Sequence, residues 1–167
     1  MKNIFLALVA SVFLTAPGVA QTTASVEPAS LIIAGAVERP LELKMSDLEK
    51  MPHTRVEVKD HDGNPATYEG VSLVDLLKAA GAPAGEKLRG AGMASYVLAQ
   101  AKDGYRVVFA LPELDPAFTD AKALVASALN GKPLPEGQGP LRIVAPQDKR
   151  PARWIRMLQR IEVVKIP

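Results

Sequence analysis

Between Arg142 and Arg160 the chain carries six positive side chains, Arg142, Lys149, Arg150, Arg153, Arg156 and Arg160, against one acid, Asp148. Fixed cations at that density raise the local concentration of a negatively charged ligand. The same stretch holds the only tryptophan, Trp154. Guanidinium groups take phosphate or carboxylate through paired hydrogen bonds, and an indole face can stack on a flat heterocycle. Arg142, Lys149, Arg150 and Arg153 with Trp154 are therefore the candidate binding residues for an anion that also carries a ring. The plainer alternative is equally concrete: solvated charges beside a terminal strand, with Trp154 anchoring the core.

Other chemistry finds little support. The chain has no cysteine, so it offers no thiolate nucleophile, disulfide or sulfur ligand. With His53 and His61 as the only histidines, a multi-histidine metal cage is excluded. Asp60-His61-Asp62 lies on a turn, where three successive side chains diverge, and turn chemistry is the reading preferred over a metal site. His53, beside Pro52, reads as a loop or helix-end residue rather than a base. No serine sits in a Gly-x-Ser-x-Gly elbow, and no glycine-rich loop ends in Lys-Ser or Lys-Thr.

The elements that must position the basic residues follow from periodicity and punctuation. Ser30 to Ala36 is an apolar run ending near glycine and reads as a buried strand. Leu41, Leu43 and Met45 alternate with polar residues, and Ser46 with Glu49 has a capping-box spacing for a brief helix stopped by Pro52. Thr54 to Lys59 and Thr67-Tyr68-Glu69 flank the Asp62-Gly63-Asn64-Pro65 turn as a hairpin. Ser72 to Ala80 reads as a helix, with Ser72 and Asp75 as a second capping box and Gly81 as its C-terminal cap. Ala82 to Gly92 reads as loop. Lys102-Asp103-Gly104 joins the strands Tyr96–Ala101 and Tyr105–Leu111, and Pro112 to Pro116 makes one helical turn. Ala123 to Leu129 is taken as a strand because Asn130-Gly131 follows it, and Leu158 to Ile166 as the closing strand. Arg142 falls inside the apolar strand Leu141–Val144, so its side chain is expected on the face opposite its neighbours. Pro151 stiffens the loop bearing Lys149 and Arg150. The sum is eight or nine short strands and two or three short helices, an α+β fold of mixed β-sheets rather than a regularly alternating one.

Residues 1–20, with Lys2, an apolar run from Ile4 to Leu14 and small residues at Gly18-Val19-Ala20, have the form of a signal peptide. The run is too short for a membrane span, which takes roughly 20 apolar residues. The expectation is an exported, periplasmic protein with no membrane segment after cleavage, a tether at 21–29 and one domain at 30–167. Losing Lys2 lowers the formal charge from +2 to +1, which leaves too little bulk charge for general nucleic-acid binding.

The order of motifs is similar to that of the molybdopterin-binding domain of the sulfite oxidase family. The motifs are Tyr68-Glu69-Gly70-Val71-Ser72-Leu73, Asp103-Gly104-Tyr105, Asn130-Gly131-Lys132-Pro133-Leu134, Gly139-Pro140-Leu141-Arg142-Ile143-Val144-Ala145-Pro146 and Arg153-Trp154-Ile155. The resemblance covers about residues 30 to 165. It implies an α+β fold with several mixed sheets and a site built partly from the loop after the Leu141 strand. It also implies a pterin phosphate held by a small-residue loop ending in a cation before the tryptophan; Arg153 matches that cation by position, and Arg142 matches the family's strand arginine. Family enzymes ligate molybdenum through one cysteine in the stretch matched here by Asp60-His61-Asp62, which has none. The expected function is thus binding of a small anionic ligand, molybdopterin or another pterin, without conventional molybdenum catalysis; molybdenum itself is not expected. Two rivals stay open: a degenerate interaction module that meets a periplasmic protein partner, or an oxidoreductase whose metal is held by His61 or Asp60.

Overall fold

The computed structural model describes residues 30–59 and 63–166. Two sheets carry the fold. The first has the order β2-β1-β10-β5-β6, built from β1 (Ser30–Gly35), β2 (Leu41–Lys44), β5 (Tyr96–Ala101), β6 (Arg106–Ala110) and β10 (Leu158–Val164). It is antiparallel except where β1 and β10 run side by side in the same direction, Ile33 opposite Ile161. The second comprises β3 (His53–Lys59), β4 (Pro65–Ser72), β7 (Leu124–Leu129), β8 (Lys132–Pro133) and β9 (Arg142–Val144). It follows the order β3-β4-β7-β8, with β9 sharing the far edge of β7. Among the described residues there are ten strands and two α-helices, α1 (Met45–Leu48) and α2 (Leu73–Ala80), with four short 3-10 segments. The mixed α+β architecture matches expectation, with one strand more than the upper count because Lys132–Pro133 pairs briefly with β7 after the Asn130-Gly131 turn.

Alternation decides which side chains enter which core. Val71, Val125 and Ile143 lie in one register row and join the main core between the sheets and α2, with Leu31, Ile33, Leu73, Leu76, Phe109, Leu141 and Ile161. The opposite face of the second sheet holds a smaller cluster of Val56, Ala66, Tyr68, Leu124, Ala126 and Val144. On β7, Ala126 and Leu129 are three apart and would face opposite ways in a regular strand. The register between β4 and β7 shifts between Glu69 and Gly70, passing over Ser127. That bulge turns Leu129 to the same face as Ala126, and both pack in or against the smaller cluster. Gly70 sits at the bulge with the Val125 carbonyl so close that a Cβ would collide with backbone.

Local signals fared unevenly. Gly81 caps α2 in the left-handed region at φ 72°, and Asn130 and Gly131 take φ 51° and 74°, the pair of positive values a two-residue hairpin turn requires. Neither expected capping box forms. The N-cap of α1 is Lys44, not Ser46, and the Asp47 carboxylate accepts from the Lys44 amide at 3.0 Å. Ser72 is the N-cap of α2 but its hydroxyl makes no cap bond; the Leu73 amide, at the first helical position, donates to the Ala123 carbonyl at 2.9 Å. No described helix is long and apolar enough to cross a membrane. Residues 1–29, and with them the signal-peptide and tether readings, lie outside the described residues, as do Asp60, His61 and Asp62.

Candidate functional site

Arg142 is not directed to solvent. It opens β9 opposite Ala126, and alternation puts it on the face of Val144 in the smaller cluster, where it is only 7% exposed. Its guanidinium donates from Nη1 to the Tyr68 hydroxyl (3.1 Å) and to Gln138 Oε1, and from Nη2 to the Trp154 carbonyl at 3.4 Å. It lies 5.1 Å from the Tyr68 ring centroid and 5.9 Å from that of Trp154, within cation–π range. Those two rings meet edge to face at 6.1 Å. Among the described residues the buried Nε has no hydrogen-bond partner. No carboxylate pairs with Arg142 among the described residues. Burial lowers its pKa, with the charge of Arg156 acting in the same direction and the Tyr68 hydroxyl opposing. A guanidinium stays protonated through such a shift, so among the described residues the site holds a desolvated positive charge without a counter-ion.

That charge forms part of the wall of a cleft of about 650 Å³ lined by Lys59, Tyr68, Asn130, Gln138, Arg142, Asp148, Lys149 and Trp154, among others. The wall presents donors. Tyr68 accepts from Arg142 and keeps its own O–H. Gln138 uses Oε1 on Arg142 and Asn130 uses Oδ1 on the Thr67 amide at 2.8 Å, leaving both NH₂ groups. Lys59 and Lys149 add ammonium groups. A second hollow of about 590 Å³ contains Asp75 and Asp120 against Lys122, and no aromatic ring, so it offers an anion far less.

The five residues singled out in the sequence divide. Arg142, Lys149 and Trp154 come together at the cleft. Arg150 is exposed and outside its lining. Arg153 does not line it either. Its Nε and Nη2 grip Asp148 Oδ2 and Oδ1 at 3.0 and 2.6 Å, Nη1 reaches Glu113 Oε1 at 2.7 Å, and the guanidinium sits 4.5 Å from the Phe109 centroid. The bond to Asp148, then that to Glu113, raises its pKa against the effect of burial. Trp154 is fixed too: its indole N–H donates to the Ala145 carbonyl at 2.8 Å, and it packs against both apolar clusters while lining the cleft. Its anchoring role and its place at the cleft coexist. His53 is neither loop nor helix end: it opens β3, and only its side chain returns to the end of α1, with Nε2 on the Leu48 carbonyl at 3.1 Å. The sequence missed Lys59, Tyr68, Asn130 and Gln138. Tyr68 and Asn130 were visible as motif residues, but nothing in the sequence placed them beside Arg142.

The family model "Oxidoreductase molybdopterin binding domain" matches residues 19–167. The chain belongs to this family. Among solved structures, the sulfane dehydrogenase SoxCD from Paracoccus pantotrophus matches with a TM-score of 0.63 at 20% identity, covering 80% of this chain and 37% of that one. Identity at that level speaks to the shared fold, and the chain spans well under half the length of that relative. A search of curated proteins finds no match. The α+β architecture and the motif order from Tyr68 to Ile155 are thus those of a molybdopterin-binding domain of the sulfite oxidase type.

Proposed function

We propose that this molybdopterin-binding-family domain is an exported, periplasmic protein that holds an anionic, ring-containing ligand, a pterin in the first instance, in the Arg142 cleft. One observation carries the reading: at the wall of an open cleft Arg142 is buried with no carboxylate partner among the described residues. Burying an unpaired cation is costly, and an anion delivered through the cleft would offset that cost. Lys149 and Lys59 would add charge, Tyr68, Asn130 and Gln138 would donate to the ligand's oxygens, and the half-buried Trp154 would flank its ring.

These residues fit the acidic tail and flat ring of a molybdopterin. They do not fit its metal, because the chain has no cysteine to supply the thiolate, and carboxylate or imidazole would not reproduce that ligand's softness. Among the described residues no group of three or more His, Asp or Glu side chains is placed to hold a metal. Conventional molybdenum chemistry is accordingly not proposed. The rival interaction module draws on a specific observation, the commitment of Arg153 to Asp148 and Glu113, which removes one expected ligand contact. Mass spectrometry and metal analysis of the protein purified from its own cellular compartment separate the readings. Bound pterin without metal is the expected result; an empty protein favours the interaction module, and stoichiometric molybdenum overturns the proposal.

A further inference from the structure

Arg153 corresponds to the cation expected to grip the ligand, yet it is turned towards acids. We propose that Arg153 is instead a positioning residue for the cleft's charge: by capping Asp148 it keeps the wall positive, and it sets anion affinity without touching the ligand. The inference rests on the ligand reading above. Among the described residues, Asp148 is the one carboxylate lining the cleft. Both of its oxygens are taken by the two-pronged Arg153 contact, the geometry in which a guanidinium neutralises a carboxylate most completely. Arg153 is held from behind by Glu113, by the Val108 carbonyl at 3.3 Å and by the Phe109 ring. To reach a ligand it would have to leave all of these.

Uncapped, Asp148 would act against binding in two ways. It would repel an incoming anion, and it would compete for the ammonium of Lys149, its chain neighbour on the same wall. The capping also explains why an acid is tolerated in an anion-attracting cleft.

The test is a double-mutant cycle with pterin-6-carboxylate as probe, read by the fluorescence of Trp154, the only tryptophan. Arg153→Gln is expected to weaken binding roughly tenfold, the scale of one unmasked charge near a partly buried anion. Asp148→Asn should bind as well as the parent or better. The double variant should regain most of the lost affinity. Failure of the double variant to recover means that Arg153 contacts the ligand or merely supports the loop, and overturns the inference while leaving the ligand reading intact. If Arg153→Gln does not fold, a loss of affinity in Asp148→Asn alone overturns it. No binding of the probe by the unmutated protein removes the ligand reading, and this inference with it.

Discussion

Replacing Arg142 by methionine separates a binding charge from a structural one, since methionine keeps an unbranched apolar stem and deletes the guanidinium. Three hydrogen bonds are lost, one of them long at 3.4 Å, along with ring contacts at 5.1 and 5.9 Å. Hydrogen bonds to a charged group contribute ~1.5–3 kcal/mol each when well formed, and the ring contacts ~0.5–1 kcal/mol each. Against them stands the desolvation of a guanidinium that has no carboxylate partner among the described residues, which costs several kcal/mol. The terms nearly cancel. The expected change in unfolding free energy is under ~1.5 kcal/mol, or within about 5 °C of melting temperature for a domain of this size. Binding should not cancel: loss of the buried cation is expected to weaken pterin-6-carboxylate by ~2–4 kcal/mol, or ~30- to 1000-fold. Thermal melts with and without probe read both quantities, because a ligand at 100 times its Kd stabilises the folded state by about 2.7 kcal/mol. The unmutated protein should show that shift and Arg142→Met should not. The reasoning fails if Arg142→Met loses more than ~3 kcal/mol without ligand, the cost of breaking a structural buried pair, or if it keeps the ligand-induced shift.

Gly70→Ala should destabilise by about 1–3 kcal/mol or more, since its Cβ would meet the Val125 carbonyl and the Ala126 backbone at the bulge; denaturant titration checks this, and a neutral result would show that the bulge relaxes. Glu69 bridges Arg55 at 2.8 Å across the β3–β4 pair, and that hydrogen bond is the main cause holding its pKa below the usual carboxylate value. A depressed folded-state pKa contributes stability above the unfolded value that is lost as pH falls through the folded one. Melting temperature should therefore decline less between neutral and acidic pH in Glu69→Gln than in the parent, and superimposable profiles would contradict the assignment.

The fold was legible because its signals are local. Alternation in Thr54–Lys59, the turns at Asn130-Gly131 and Lys102-Asp103-Gly104, and Gly81 each settle a short stretch on their own terms. Capping was less legible: Ser46 has the right neighbours, but α1 starts at Met45 and the Asp47 carboxylate takes the Lys44 amide, while the Ser72 hydroxyl makes no cap bond at the start of α2. The site was legible only in part. A cluster of cations in sequence says nothing about which will meet an acid, and Glu113 lies 40 residues before Arg153. Burial of Arg142 depends on Tyr68, 74 residues away, brought near by the pairing of β4 and β9 with the two edges of β7. Such juxtapositions are products of sheet register, which no single motif encodes.

Fluorescence titration of the unmutated protein compares pterin-6-carboxylate with pterin itself at neutral pH, where the ring is the same and only the carboxylate differs. The account predicts that the carboxylate form quenches or shifts Trp154 emission at far lower concentration, with an affinity that weakens as salt is added. Equal affinity for the two compounds, or no response to either, would contradict it.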